Sequence, residues 1–470
     1  MDLTRRRLSL VILAAVLAIL IVACLASFLA GWWHPQQRAT SAPAVHPYSG
    51  STGAVIARSV GGADDGQWTM AAKNYASTRF SAAREIDTAN VDDLQVAFTF
   101  STGIAKGHEA APLVVGGTMY IVTPFPNIVY ALDLTQPGAP TKWSYKPKPL
   151  SAAQGVACCD VVNRGAAYAD GRIFFNTLDD RTIALNAESG EELWDTQLGD
   201  INQGETMTMA PLVVDGKVLV GNSGGELGVR GWLVALDAGS GEIVWKAYAT
   251  GPDKDVLIGE DYHPFYAMDR GRNLGVTSWP SEAWKQGGGN TWGWISYDPA
   301  RRLVYYGTGN PGPWNSEQRP GDNKFTTGVF ARDVDTGAAH WYYQTTPHDL
   351  WDHDDINEQI LLDMPVAGRM REVMVRPARN GYVYVLDRAT GEVFSATPYG
   401  YVTAYKGVDL KTGRIVPNPD KEPKEGRVVR GICPAAPGMK DWNPSAFSPL
   451  TGLVGAVSRM TTCLRSAQLG

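Results

Sequence analysis

The chain has 470 residues, a formal net charge of −6 and a hydrophobic fraction of 44%, with 51 glycines and 15 tryptophans. A chain of this length can bury a large hydrophobic core. Abundant glycine with many aromatic residues favours short strands joined by tight turns over a long helical protein. The acidic balance, with no basic stripe after the first few residues, argues against nucleic acid as a partner.

Residues 1–33 combine a basic N-terminus with a long apolar run. Arg5, Arg6 and Arg7 precede an uncharged apolar stretch at residues 8–30, which is long enough to span a bilayer as a helix. Positive charge on the N-terminal flank keeps that end cytoplasmic, so the rest of the chain is expected in the periplasm. Two interpretations stay open: an uncleaved anchor in the inner membrane, which the length favours, and a signal peptide removed by cleavage.

Residues 34–62 are rich in Pro, Ala, Ser and Gly, a composition typical of a flexible linker. The cysteines of the whole chain form no CxxC pair, so a zinc site has no support, and no CxxCH motif for a c-type haem is present. An exported chain can keep disulfides. The five cysteines are Cys24, Cys158, Cys159, Cys433 and Cys463.

One local pattern recurs along the chain. An apolar strand ends in Asp or Asn, a glycine follows four residues later, and a tryptophan usually follows four residues after that. The looser segment 132–143 is a further candidate copy. The glycines of successive copies are 51, 96 and 54 residues apart. These spacings give a period near fifty, with two periods expected in the middle interval. The glycines are Gly190, Gly241, Gly337 and Gly391, and the last copy lacks the tryptophan.

Each repeat is expected to be a small antiparallel sheet that cannot bury both of its faces alone. Radial stacking of such sheets gives a β-propeller, and a β-sandwich array is the alternative. The copies continue without linker-like breaks, which favours the propeller. We therefore predict an all-β propeller domain at residues 63–453.

Long sequence blocks occur in a fixed order within this domain. They include GHEAAPLVV at 107–115, CCDVVNRG at 158–165, SGGELGVRG at 223–231, GGGNTWGW at 287–294, YYGTGNPGPWN at 305–315 and TPHDLWDHDD at 346–355. In this order they resemble the PQQ-dependent alcohol dehydrogenases, most closely methanol dehydrogenases of the lanthanide-using kind. An ordered series is a stronger signal than one short motif. The resemblance implies an eight-bladed propeller, with the quinone PQQ and a metal on its axis, that oxidises methanol or other small primary alcohols.

The resemblance implies a metal site formed by Glu226, Asn310 and Asp352. Oxygen ligands of this kind suit a hard cation such as Ca²⁺ or a lanthanide ion. Asp354 stands where the lanthanide type has an aspartate and the calcium type has a small residue. In extended backbone its carboxylate would point to the same side as that of Asp352. We expect a lanthanide ion, with Ca²⁺ as the alternative; a solvated acidic loop that includes Asp355 is the other interpretation of Asp354.

The resemblance also implies the quinone site. Adjacent Cys158 and Cys159 have Cα atoms about 3.8 Å apart, below the roughly 4.4–6.8 Å usual for disulfides. The family nevertheless forms this bridge and places PQQ against it, with Trp292 stacked on the opposite face. Arg379 matches the arginine that hydrogen-bonds the quinone carbonyl oxygens. The remaining PQQ contacts implied by the family are Glu109, Arg164, Thr208, Ser223, Gly224, Gly225, Asn290 and Asp441.

In the chemistry that the resemblance implies, Asp352 is the general base for the alcohol hydroxyl and hydride passes to the metal-bound quinone. An adduct mechanism would use the same residues and stays open. Because the chain has no haem motif, electrons are expected to pass to a separate c-type cytochrome or to a membrane quinone. The oligomeric state, including a homodimer, also stays open.

The resemblance stops at Leu453. Residues 454–470 show no strand alternation, and Cys463 lies near the place where the family has a cysteine that pairs with the one at Cys433, but in a different context. We expect an aberrant tail and a propeller without its later blades, which would leave exposed sheet edges. The alternative function is therefore an inactive, membrane-tethered propeller that acts as a scaffold.

Overall fold

The computed structural model describes residues 58–59, 64–458 and 463. Within them the chain forms four four-stranded sheets, one five-stranded sheet and two two-stranded sheets. No helix in this described part is long and apolar enough to cross a membrane. The predicted anchor or signal segment at residues 8–30 lies outside the described residues.

The sheets are antiparallel meanders, in which each strand pairs with the next along the chain. A two-residue strand, β1 (Arg58–Ser59), precedes them. The first blade consists of β2 (Leu113–Val115), β3 (Thr118–Val122), β4 (Val129–Asp133) and β5 (Thr141–Tyr145). The second consists of β6 (Ala166–Ala169), β7 (Arg172–Asn176), β8 (Arg181–Asn186) and β9 (Glu192–Gln197). The third consists of β10 (Leu212–Val214), β11 (Lys217–Gly221), β12 (Trp232–Asp237) and β13 (Ile243–Tyr248).

Two more blades and two strand pairs complete the described part. The fourth blade consists of β14 (Ile295–Asp298), β15 (Leu303–Gly307), β16 (Gly328–Asp333) and β17 (Ala339–Gln344). The fifth consists of β18 (Ile360–Val366), β19 (Arg369–Pro377), β20 (Tyr382–Asp387) and β21 (Val393–Pro398), with β1 paired to β18. The pairs are β22 (Tyr405–Asp409) with β23 (Arg414–Pro417), and β24 (Ser445–Ser448) with β25 (Leu453–Ala456). The all-β propeller architecture is confirmed, and the count of eight blades stays a prediction.

Helices in the described part are short and lie in the connections. The α-helices are α1 (Ala153–Val156), α2 (Asp253–Val256) and α3 (Leu274–Thr277). The 3-10 helices are Val91–Asp93, Ile201–Gln203, Gly225–Leu227, Ala267–Asp269, Ala283–Gln286, Ser316–Gln318 and Pro419–Lys421.

Burial explains why the middle strands are apolar on both faces. Every residue of β15 is buried, as is all of β12 except its last residue, whereas no residue of the outer strand β9 is fully buried. One core cluster includes Phe174, Leu219 and Phe330, from the second, third and fourth blades. Neighbouring blades therefore cover each other's faces, and the apolar area they bury drives the stacking.

The repeated glycine and tryptophan make a contact between blades. Gly241 has a φ of +77°, and a Cβ there would lie 2.7 Å from the ring of Trp194 in the preceding blade. The indole Nε1 of Trp194 donates to the carbonyl of Ala238 at 3.1 Å. Each repeat thus provides both a turn and the surface on which the neighbouring tryptophan docks. The same ring contact joins Trp143 to Gly190, Trp245 to Gly337 and Trp341 to Gly391.

The prediction of two periods between Gly241 and Gly337 is wrong. This interval advances by one blade: it contains β13, an insertion with α2, α3 and 3-10 turns, and then β14 to β16 of the fourth blade. Tyr266 of the insertion packs on Gly413, where a Cβ would lie 2.6 Å from the ring, and donates to the carbonyl of Leu410 at 3.2 Å. Tyr266 therefore makes the contact that a tryptophan makes in the other copies.

The predicted bounds of the domain also need correction. Strand β25 extends through residues 454–456, which we assigned to the tail, and β1 lies in the predicted linker. Both are short strands held by backbone hydrogen bonds, so no apolar alternation marks them. Cys463 forms a disulfide with Cys433, and the other residues of 459–470 lie outside the described part.

The meander determines where functional side chains can meet. In four antiparallel strands, the turn between the second and third strands and the connection leaving the fourth lie at the same end of the blade. Asn310, for example, follows β15 directly, and Asp352 lies between β17 and β18. Most residues of the predicted site lie in such a turn or connection, at one end of the blades; Glu109 precedes β2 and Asp441 lies between β23 and β24.

Candidate active site

A cavity of about 210 Å³ lies among these connections. It is lined by every residue of the predicted site: Glu109, Cys158, Cys159, Arg164, Thr208, Ser223, Gly224, Gly225, Glu226, Asn290, Trp292, Asn310, Asp352, Asp354, Arg379 and Asp441. The lining also includes Ala157, Asp160, Val162, Thr206 and Trp442, which the sequence analysis did not name.

Arg379, in the turn between β19 and β20, lies at the centre of an acidic cluster. Its Nη1 donates to Asp354 at 2.8 Å and to Asp441 at 3.3 Å, and its Nη2 donates to Asp352 at 3.2 Å. The carbonyl of Ala436 accepts from Nε at 3.0 Å and from Nη2 at 2.9 Å. Three carboxylates share one guanidinium, so the cluster carries excess negative charge when ionised and attracts a cation.

The two aspartates at the centre of the cluster are costly to ionise without a further cation. Burial, and then the proximity of Asp354, raises the pKa of Asp352, against the opposing effect of Arg379. Burial also raises the pKa of Asp354, with Glu226 adding to the shift and Arg379 opposing it. One oxygen of Asp354 accepts the backbone N–H of Asn310 at 2.6 Å. Oδ1 of Asp352 is buried and has no hydrogen-bond partner among the described residues.

The local backbone differs from the extended form that we expected. Asp352 has a φ of +63°, in the left-handed region, yet its carboxylate and that of Asp354 reach the same guanidinium. The interpretation of a solvated acidic loop is wrong. Asp354 is 3% exposed and Asp355 is 1% exposed, and Asp355 is ion-paired with Arg376.

A buried amide elsewhere in the cavity lining also lacks partners among the described residues. The side chain of Asn290 is buried, and neither its nitrogen nor its oxygen has a hydrogen-bond partner in the described part. Buried amides are normally satisfied, so these atoms point to a ligand. The Glu226 carboxylate lies within 4.8 Å of the sulfurs of Cys158 and Cys159, which are joined by a disulfide.

Glycines bring the backbone close to the cavity beside Asn290. A Cβ at Gly225 would lie 2.8 Å from the Asn290 Oδ1. Gly224 has a φ of +115°, and a Cβ there would lie 2.2 Å from the carbonyl oxygen of Gly204. A larger residue at Gly225 would press on Asn290, and one at Gly224 would clash with the backbone of Gly204 in a left-handed conformation that favours glycine.

Arg164 forms the cationic side of the cavity. It is ion-paired with Glu109 at 3.1 Å and donates to the hydroxyl of Thr208 at 2.8 Å. Its guanidinium lies 4.9 Å from the ring centroid of Trp292 and 5.2 Å from that of Trp442. Burial raises the pKa of Glu109, although Arg164 opposes the shift. A guanidinium among hydroxyls and aromatic planes suits a flat ligand with carboxylates.

The described residues therefore fit a flat polycarboxylate cofactor beside a hard cation. Arg164 and the hydroxyls of Thr208 and Ser223, 3.2 Å apart, provide partners for carboxylates. The acidic cluster around Arg379 provides oxygen ligands for the cation. Asn290 and Asp352, whose side chains have buried atoms without partners among the described residues, both line this cavity.

A family model for the β-propeller domain of PQQ-dependent glucose, ethanol and alcohol dehydrogenases matches residues 68–404. The chain belongs to this family. The resemblance on which the sequence analysis relied is thereby confirmed. The match runs from the segment before the first blade to the connection after the fifth.

Members of the PQQ-dependent family with high identity are methanol dehydrogenases. The lanthanide-dependent methanol dehydrogenase of Methylacidiphilum fumariolicum (strain SolV) is 53% identical over 391 residues, which is 83% of this chain and 64% of the relative. Subunit 1 of the cytochrome c methanol dehydrogenase of Methylorubrum extorquens is 48% identical, over 82% of this chain and 63% of the relative. The chain thus spans just under two thirds of the length of these two relatives.

A solved structure supports the same fold within the PQQ-dependent family. The europium-containing methanol dehydrogenase superposes with a TM-score of 0.81 and 50% identity, over 85% of this chain and 72% of the other. At this identity and coverage the likeness extends from the propeller fold to the sequence of its connections.

Two lining residues could have been found from their neighbours. Thr206 lies in the run TMTMAP that supplied Thr208, and Trp442 directly follows Asp441. Arg379 was expected to contact the quinone, and no sequence pattern indicated that it also bridges three carboxylates. That role depends on contacts between connections that are distant along the chain.

Proposed function

We propose that the chain is a PQQ-dependent alcohol dehydrogenase that oxidises methanol or another small primary alcohol to the aldehyde, with a lanthanide ion beside the quinone. The observation that carries this proposal is at Asp352, which lines the cavity and whose Oδ1 is buried and unpartnered among the described residues. A carboxylate oxygen so placed is a candidate proton acceptor. Membership of the family and the identity to a lanthanide-dependent methanol dehydrogenase support it.

The metal ligands in this proposal are Glu226, Asn310, Asp352 and Asp354. They supply three carboxylates and one neutral amide, a donor set that suits a hard trivalent cation. Asp354 is already fixed by the N–H of Asn310 and by Arg379, so its position is set before any ion binds. Ca²⁺ is the alternative ion.

PQQ is held in this proposal by an aromatic plane, a disulfide and charged groups. Trp292 and the Cys158–Cys159 disulfide present the two surfaces for stacking. The carboxylates of the quinone are bound by Arg164, Thr208 and Ser223, by the backbone at Gly224 and Gly225 and by Asn290, with Glu109 and Asp441 at the margins. When bound, the quinone would accept the two electrons of the alcohol as a hydride from its carbon, and the metal ion would polarise the quinone carbonyl.

The side chains of the acidic cluster then perform the proton transfer. Oδ2 of Asp352 is held by Nη2 of Arg379 at 3.2 Å, which leaves Oδ1 free to take the hydroxyl proton of the alcohol. Arg379 is fixed in turn by the carbonyl of Ala436 and by Asp354, so it orients Asp352.

We further propose that the electrons pass to a separate c-type cytochrome. The relative from Methylorubrum extorquens is a methanol dehydrogenase named for cytochrome c, which supports this acceptor. A membrane quinone is the alternative acceptor. The basic residues before the apolar run at 8–30 support a periplasmic domain anchored in the inner membrane. Protease added to spheroplasts should digest the domain. Protection equal to that of a cytoplasmic marker would contradict this location.

The proposed function is tested by reconstitution with PQQ and La³⁺. The chain should bind the quinone, show its absorbance and reduce an electron-accepting dye when methanol is added. Asp352→Asn should retain bound quinone and lose turnover, because an amide oxygen cannot hold the proton. Turnover in Asp352→Asn would refute the role of the base. Quinone binding without turnover in the native chain would support the alternative, an inactive scaffold.

A further inference from the structure

One buried asparagine joins two walls of the cavity. The side-chain oxygen of Asn357 accepts the backbone N–H of Arg379 at 3.1 Å. Its side-chain nitrogen donates to the backbone carbonyl of Asp441 at 2.8 Å. The side chains of Arg379 and Asp441 meet in the cavity at 3.3 Å, although 62 residues separate them. A single amide thus fixes both backbones from behind the ion pair that they form.

The neighbouring Glu358 anchors the same loop on its other side. One carboxylate oxygen accepts from Nζ of Lys440 at 2.8 Å, and the other accepts the backbone N–H of Ser445 at 2.7 Å. Lys440 Nζ also lies 3.3 Å from the carbonyl of Asp441. Glu358 and Lys440 are both fully buried, so water cannot replace these contacts without opening the fold. Glu358 therefore holds the loop that carries Asp441 and Trp442 at two places, Lys440 before these residues and Ser445 after them.

The chemistry at position 357 needs an amide. Asn357 faces one donor, an N–H, and one acceptor, a C=O, and only an amide offers one acceptor and donors at this size. An aspartate would keep the bond to Arg379 and lose the bond to Asp441. An apolar residue of similar shape would lose both and leave a buried N–H of Arg379 unpaired.

We propose that Asn357 is a positioning residue, which sets Arg379 and Asp441 in register for the cofactor without contacting it. The proposal rests on the proposed function, because it treats the cavity as the quinone site. In this proposal Asn357 raises the affinity for the quinone by positioning Arg379. Glu358 and Lys440 only hold the loop in place.

The test compares Asn357 with a matched buried asparagine in the first blade. The oxygen of Asn127 accepts the N–H of Leu178 at 3.0 Å and its nitrogen lies 3.4 Å from the carbonyl of Thr123, and it does not line the cavity. We expect Asn357→Leu to raise the dissociation constant for PQQ about tenfold and Asn127→Leu to change it less than about twofold. The KM for methanol should stay the same in both variants.

The milder Asn357→Asp keeps the test decisive where the leucine variant fails to fold. It should raise the dissociation constant less than Asn357→Leu. In a double-mutant cycle with Asp441→Asn, the two effects on quinone affinity should be smaller together than their sum, because both act on the same ion pair. Additive effects would overturn the proposal.

Hydrogen exchange supplies a measurement that needs no quinone. The amide of Arg379 should exchange faster in Asn357→Leu, which removes its acceptor, than in the native chain, and should be unchanged in Asn127→Leu. Equal exchange in all three proteins would show that the bridge is not formed and would overturn the proposal. A folded Asn357 variant with native quinone affinity would overturn the positioning role alone. A native chain that binds no quinone would overturn the proposed function, and the positioning role with it.

Discussion

Nη1 of Arg379 lies 2.8 Å from a carboxylate oxygen of Asp354, and both groups are buried. This pair sits within a cluster that also contains Asp352 and Asp441. One cation balances three anions, so the pair alone does not neutralise the site. The cluster is therefore built to receive a metal ion, and its stability should depend on one.

Removal of Arg379 should expose this dependence. Arg379→Gln leaves the buried carboxylates without their cation, and we expect the metal-free chain to lose about 3–5 kcal/mol of unfolding free energy. Added La³⁺ should restore part of the loss, because the ion binds the same carboxylates. Chemical denaturation with and without La³⁺ measures both effects. Arg388→Gln, which breaks the 2.6 Å ion pair with Asp363, is the control and should not respond to La³⁺. An equal response of the two variants would contradict the account.

Trp292 should contribute to quinone affinity. The ring lines the cavity, and the guanidinium of Arg164 lies 4.9 Å from its centroid. We expect Trp292→Ala to weaken PQQ binding about tenfold, since an aromatic stacking contact contributes about 0.5–1.5 kcal/mol beyond the area it buries. Trp314→Ala is the control, because Trp314 is 54% exposed and does not line the cavity. Unchanged affinity in Trp292→Ala would place the quinone elsewhere.

Asp180 should make stability depend on pH. Its side chain is fully buried, and neither of its oxygens has a hydrogen-bond partner among the described residues. Burial, and then the proximity of Glu205, raises the pKa of Asp180 well above the ordinary value, against the opposing effect of Lys246. The folded state therefore holds the proton more tightly than the unfolded state. The contribution of Asp180 to the unfolding free energy should be highest below about pH 4 and should fall as pH rises towards its folded pKa.

Asp180→Asn tests this dependence, because the amide resembles the protonated acid. We expect the variant to be more stable than the native chain at pH 8 by about 1–3 kcal/mol, the range for an unsatisfied buried polar group. The difference should shrink as the pH is lowered to about 4. Urea denaturation over a pH series measures it. A variant that is less stable at pH 8, or a difference that does not change with pH, would contradict the account.

The propeller architecture was predictable where one sequence repeat corresponds to one blade. The Asp or Asn that ends the third strand and the glycine four residues later mark a turn in each of four blades, because that turn is local. The insertion before β14 was not predictable from the period, since a count along the chain treats its residues as another blade. The contact of Tyr266 with Gly413 joins distant residues and leaves no local signal.

The residues that line the cavity were predictable from the ordered motifs, but the contacts between these residues were not. Every motif residue lines the cavity, because the motifs occupy connections at one end of the blades. The left-handed backbone of Asp352 could not be inferred from a two-residue spacing. The bridge from Asn357 to Arg379 and Asp441 depends on tertiary packing, which a sequence pattern does not contain.

In the proposed function, the choice of metal ion depends on Asp354. Glu226, Asp352 and Asp354 offer three carboxylates, and carboxylates this close repel one another unless a strong positive charge lies between them. A trivalent ion balances the extra anion better than Ca²⁺. Asp354→Ala should therefore reduce lanthanide-dependent activity much more than any calcium-dependent activity.

The most direct measurement is methanol-dependent dye reduction by the PQQ-loaded chain, with La³⁺ or Ca²⁺, in the native protein and in Asp354→Ala. We expect the native chain to turn over faster with La³⁺ than with Ca²⁺, and Asp354→Ala to lose at least about tenfold of the La³⁺-dependent rate, which corresponds to about 1.4 kcal/mol of transition-state stabilisation. Equal rates of the native chain with the two ions, together with an unchanged La³⁺-dependent rate in Asp354→Ala, would contradict the assignment of a lanthanide site.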